Sequence, residues 1–256
     1  MAAVTNPTSL TDVVRLSRPV TLARDQVVPV LGALSGLFPD EGLARGSTVV
    51  VDGSTAATSL ALAVAAGPSA AGAWVVVVGR DDLGLAAAVE VGVAVDRLAL
   101  VAEPPADQWS TVVAALIGAV DVIVVGPSHR VSAGDARRLA ARARERGTVL
   151  VQVGARRGTP VPGLDADVRL TVIESHWQGL GDGHGHLRAR RVVVETTGRR
   201  RASRPRRAEL WLPDADGLLR TVVPVAPVAV SHGLTDDEAY AGSDADQLVD
   251  AFREVG

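Results

Sequence analysis

The stretch GSTVVVDGSTAATSL, residues 46–60, sets the architecture. Residues 47–52 (STVVVD) are short, β-branched and almost wholly apolar, as in a strand buried on both faces of a sheet. Gly53, Ser54 and Thr55 make a turn. Residues 58–66 then read as an apolar helix, closed by Gly67 and Pro68. A buried strand passing through a glycine turn into an Ala/Leu helix is the opening half of a βαβ unit.

The rhythm continues on the C-terminal side. Residues 74–78, 98–101, 120–125 and 148–153 read as strands. Residues 83–91 and 107–117 read as helices, as does a basic stretch from Ser132 or Asp135 to about Arg146, ended by Gly147. This alternation predicts an α/β fold whose mainly parallel sheet has helices on both faces. Past Asp165 the period changes. Residues 168–173 and 187–196 alternate apolar and polar side chains around a Gly-rich turn at 179–185, and 208–212 is a further strand. These predict antiparallel hairpin strands at the C-terminal edge. On the N-terminal side, the Gly- and Pro-rich residues 32–46 read as a loop entering the core. Thr11 is placed to cap a short amphipathic helix carrying Val13, Val14 and Leu16. The expected organisation is an N-terminal extension over 1–30, an α/β core over 31–212 and an acidic tail over 213–256. Within the tail, Leu248, Val249, Phe252 and Val255 form an apolar stripe at helical spacing, suited to docking on a partner or packing on the chain's own core.

At 256 residues, the chain is long enough for one well-buried domain with short extensions. It has no cysteine, which excludes disulfides, thiolate metal sites and thiol nucleophiles. Its start lacks the pattern of a secretory signal, and no apolar run reaches membrane-spanning length, so the expected location is cytoplasmic. The net charge of −3 hides two opposed segments. Arg188, Arg190, Arg191, Arg199, Arg200, Arg201, Arg204, Arg206 and Arg207 face only Glu195 among them. From Asp214 to Glu254 the acids dominate, opposed by Arg220 and Arg253. The arginine segment suits phosphate contacts of nucleic acid or an acidic partner, or is a solvated edge hairpin. His176, His184 and His186 lie around the Gly-rich turn without a matching carboxylate pattern, so no metal site is expected.

The turn after the first strand invites comparison with the phosphate-binding motif G-x-x-x-x-G-K-[ST]. There the backbone N–H groups cradle phosphates, the lysine reaches the terminal phosphates and the hydroxyl holds magnesium. Here Gly53 fits the first glycine, with Ser54 and Thr55 following it in the turn. Thr58 replaces the second glycine, Ser59 the lysine and Leu60 the hydroxyl. No change of register restores the motif, because the chain contains no lysine and all 26 basic residues are arginine. Arginine presents a planar fork rather than a compact charge. No cofactor is therefore expected, although the helix N-terminus retains a weak attraction for anions.

Residues 46–53 and 120–126 resemble the first and fourth core strands of RecA recombinases. Residues 37–46 resemble the loop leading into that core, and 92–103 (GVAVDRLALVAE) the segment entering its third strand. The resemblance covers roughly 30–212 and implies a RecA-like core. Each position it makes chemical is replaced. The loop lysine falls at Ser59 and the metal-ordering acid at Gly126. The water-activating acid falls at or near Arg80, beside Asp81 and Asp82, and the γ-phosphate sensor at about Gly154. Phosphoryl transfer rests on positioned charge and metal, so the resemblance implies no ATPase activity. Its DNA-binding loops are also reduced, with Arg156 and Arg157 the residues left to touch a backbone. Residues 84–90, 135–147, 184–194 and 204–212 are similar to the actinobacterial ImuA-prime proteins. That similarity implies a non-catalytic, nucleoid-associated adaptor in damage-induced mutagenesis and translesion synthesis. Its partners would be an ImuB-like Y-family polymerase homologue and, through it, an error-prone C-family polymerase, with single-stranded DNA a further contact. Weak nucleotide binding and salt-sensitive single-strand binding are the alternatives.

Overall fold

The computed structural model describes residues 26–53, 55–80, 83–126, 130–154, 164–181 and 184–222. All of them belong to one compact unit ending at Val222. The helix expected near Thr11, the stripe Leu248, Val249, Phe252 and Val255, and the pair Arg156 and Arg157 lie outside the described residues.

The segment read as a loop over 32–46 has structure of its own. Strands β1 (Val27–Pro29) and β2 (Gly42–Ala44) pair antiparallel, with the single-turn helix α1 (Gly32–Ser35) between them. Leu34, Leu37, Phe38 and Leu43 are buried there. Their spacing fits neither a long helix nor a strand, because they cap the core from a compact, irregular segment.

The repeating part follows. It comprises β3 (Thr48–Asp52), α2 (Ala57–Ala70), β4 (Val75–Val78), α3 (Leu85–Glu90), β5 (Leu98–Val101), α4 (Trp109–Leu116), β6 (Val122–Val125), α5 (Ala133–Arg146) and β7 (Val149–Val153). A long hairpin, β8 (Val168–Gly181) and β9 (His184–Gly198), leads to β10 (Arg206–Trp211) and β11 (Arg220–Thr221). The nine strands form one sheet in the order β11-β10-β9-β8-β3-β7-β6-β4-β5. From β8 to β5 the pairings are parallel, and from β8 to β11 antiparallel. The fold is thus α/β, with a large and mostly parallel sheet.

The two-residue pleat sorts the valines. Val75, Val77, Val122, Val124, Val149 and Val151 point into the core under α2. Val76, Val78, Ile123, Val125 and Leu150 point into a second core under α4 and α5. Helix α5 buries Ala136, Leu139, Ala140 and Ala143, the i, i+3, i+4, i+7 stripe of an amphipathic helix. The Ser132 hydroxyl accepts the Asp135 N–H at 3.0 Å and caps this helix, and Gly147 closes it.

Three expected boundaries move. Helix α2 does not stop at Gly67–Pro68 but carries both residues and ends at Ala70. Gly67 serves packing rather than termination: a Cβ there would lie 2.5 Å from the Val30 Cα. Strands β8 and β9 run beyond 173 and start before 187, because each pairs with the other past the point where β3 stops at Thr171. The ordered chain also passes Leu212. Asp214 is buried, its carboxylate accepts the N–H groups of Asp216 and Leu218, and β11 then pairs with β10.

A candidate functional site at the carboxyl end of the sheet

Parallel strands present their carboxyl ends together, and ligands of open α/β sheets gather there. In this chain that end carries Gly53 after β3, Gly79 and Arg80 after β4, Gly126 after β6 and Gly154 after β7. The fold therefore brings together positions that the sequence spreads over about a hundred residues. Ser54 lies outside the described residues, as do Asp81 and Asp82.

Gly53 has φ 147°, and a Cβ there would sit 2.9 Å from the Val172 Cβ, so the turn passes close under β8. Thr55 is exposed. Ala56 precedes α2 with φ 64° and ψ −6°, a left-handed conformation that side chains resist. Thr58 and Ser59 occupy the first turn of the helix, half-buried. The N–H groups of that turn are the ones a phosphate would use.

Arg80 reaches this turn from the end of β4. Its guanidinium donates to the Thr58 Oγ1 at 2.8 Å. On the way it crosses Gly126, where a Cβ would lie 2.5 Å from the Arg80 Cδ. Arg80 thus spans from Gly126, at the end of β6, to Thr58 in the first turn of α2. A side chain at 126 and the present course of Arg80 exclude each other. At the end of β7, a Cβ on Gly154 would meet the Asp52 Oδ1 at 2.6 Å. Asp52 itself pairs with Arg169 of β8. The sequence alone placed Arg80 near a lost acid but gave no sign that it turns back across Gly126.

The arginine segment does not form one basic face. Arg190 is buried, donates to the Leu212 carbonyl at 2.7 Å and lies 4.8 Å from the Trp177 ring centroid. Burial lowers its pKa. Arg191 and Arg207 lie on the opposite face of the sheet, paired with Glu209 and Glu174. The hydrogen bond from Arg191 holds the Glu209 carboxyl below its ordinary pKa. Arg199, Arg200 and Arg201 sit in and beside a 3-10 turn after β9, with Arg199 on Asp165 and Arg201 on Asp40. Arg188 and Arg204 are exposed, and Arg206 is half-buried. Strand alternation, which sends neighbouring residues to opposite faces, breaks up a cluster that is dense in sequence.

The fold and this end of the sheet define a class: an α/β domain with a large, mostly parallel sheet, whose β3 passes through a glycine turn into a helix and whose neighbouring strand ends carry glycine and arginine. The family model described as the MT3502 N-terminal domain matches residues 36–158. The uncharacterized protein Rv3395c of Mycobacterium tuberculosis is 37% identical over 154 residues, which cover 51% of this chain and 74% of that protein. The chain belongs to the same family as Rv3395c. Among the described residues no helix is long and apolar enough to cross a membrane, and no group of His, Asp and Glu is arranged to hold a metal ion.

Proposed function

We propose that this protein is a non-catalytic, RecA-like adaptor of the ImuA-prime type. In this reading it joins an ImuB-like polymerase homologue, and through it an error-prone C-family polymerase, during damage-induced translesion synthesis. The observation that carries the reading is the course of Arg80. The strand, turn and helix of a phosphate loop are retained, yet the space for the metal-ordering acid and the mouth of α2 are taken by the chain's own guanidinium. A scaffold retained without its chemistry suits a binding role better than turnover. A mycobacterial relative is consistent with the actinobacterial resemblance.

The test is co-purification with the ImuB-like homologue from the same organism, using the full chain and a version ending at Val222. Capture by the full chain alone places the contact in the acidic tail. Capture by both places it in the α/β unit. Capture by neither, with both proteins folded, overturns the adaptor reading.

A further inference from the structure

We infer that the opposite end of the sheet carries a second site, a cavity that takes one large apolar side chain from an acidic peptide segment of a protein partner. The inference deepens the adaptor reading, on which it rests for its protein partner.

The cavity has a volume of about 240 Å3 and opens at the amino-terminal ends of β3 and β8. It is therefore separate from the Arg80 end. Its floor is apolar: Phe38, Leu43, Val49, Val168 and Ala202 all line it and all belong to the core under α2. Its rim is cationic, with Arg45, Arg144, Arg199, Arg200 and Arg201 set against Asp40 and Asp167. Three of these guanidiniums are already engaged, Arg45 by Asp121, Arg199 by Asp165 and Arg201 by Asp40. The Asp167 carboxylate accepts the Thr48 N–H at 3.0 Å. Arg144 and Arg200 are exposed and have no carboxylate partner among the described residues. Among the described residues the rim thus offers two uncompensated positive charges, from α5 and from the turn after β9.

Two residues with left-handed backbone stand at the same place. Three non-glycine residues among those described have positive φ, namely Ala56, Glu41 at 55° and Arg200 at 54°. Arg200 lines the cavity, and Glu41 stands between Asp40 and Gly42, which also line it. Left-handed side-chain-bearing residues persist where surrounding structure holds them, often at binding sites.

Size and charge together select the occupant. Pockets for drug-sized ligands run roughly 300–1,000 Å3, so this cavity suits a single anchoring side chain. An aliphatic floor with one buried phenylalanine offers no exposed aromatic for stacking a nucleobase. A dry floor with a cationic rim instead matches an apolar anchor flanked by Asp or Glu, the arrangement of a buried hot spot inside a charged border.

The test is fluorescence anisotropy of full-length protein with a labelled acidic peptide that carries one Phe and one Leu. Saturable, salt-sensitive binding is expected, lost when Phe and Leu in the probe become Ser. The double variant Arg144→Glu, Arg200→Gly should weaken it about tenfold. Arg200→Gly also relieves the left-handed backbone, so unfolding would not account for that loss. Equal binding by wild type and variant, no binding at low salt, or displacement by an oligothymidylate of similar length would overturn the assignment. Co-purification of the polymerase homologue, run in parallel, separates the two readings. A variant that loses the probe yet captures the homologue leaves the adaptor in place and moves its contact elsewhere. A wild type that binds the probe but not the homologue removes the adaptor and leaves the cavity.

Discussion

Arg80 crosses from the end of β4 to the mouth of α2, where it is held by Thr58 and backed by Gly126. Replacing Arg80 by Ala frees the mouth of α2 but restores neither a lysine nor an acid. Calorimetry is therefore expected to show no Mg-ATP binding by wild type or by Arg80→Ala. Micromolar binding abolished by Gly53→Arg would reverse that conclusion. Ala56 gives a second prediction. Its left-handed backbone costs roughly 1–2 kcal/mol, whereas glycine adds roughly 0.4–1 kcal/mol of unfolded-chain entropy. Ala56→Gly should thus stabilise by up to about 1.6 kcal/mol in urea denaturation. The lost lysine was legible in the sequence. The positive φ was not, because a left-handed turn is signalled by glycine, asparagine or aspartate and not by alanine.

Helix α2 and the β8–β9 hairpin show how elements adapt to their neighbours. Gly67 and Pro68 look like a stop signal, yet the helix continues because its glycine lets the Val30–Leu31 backbone approach. Gly67→Ala should cost about 1–3 kcal/mol through overpacking, measured as a lower denaturation midpoint with unchanged slope. In the hairpin, Arg190 is more structural than its place in a basic run implies. Arg190→Leu removes a buried donor from the Leu212 carbonyl and the contact with Trp177. A loss of about 1–3 kcal/mol is expected, accompanied by a change in tryptophan emission. The hairpin's length exceeded its sequence pattern because alternation of apolar and polar residues is lost where both faces meet solvent. Trp177, Leu180 and Leu187 are exposed there.

At the scale of the whole molecule, many charges of the described residues are met in local pairs. Ser132 and then Arg138 hold the Asp135 carboxyl below its ordinary pKa, and Arg191 does so for Glu209. A depressed folded pKa contributes stability that is fully present above the unfolded value and is lost as pH falls through the folded one. Unfolding free energy should therefore decline below about pH 4, less steeply in the double variant Asp135→Asn, Glu209→Gln, as urea titrations across that range would show.

By itself the sequence determined the alternation of buried strands and helices, the basic helix that runs to Arg146 and ends at Gly147, the antiparallel edge and the lack of any lysine. Each depends on residues near one another in the chain, where period, turn residues and composition act directly. Only the tertiary structure decided the strand order, the reach of Arg80 over Gly126, the scattering of the arginines and the cavity between β3, β8 and the 3-10 turn. Those depend on which distant segments the sheet places side by side, which no local pattern encodes.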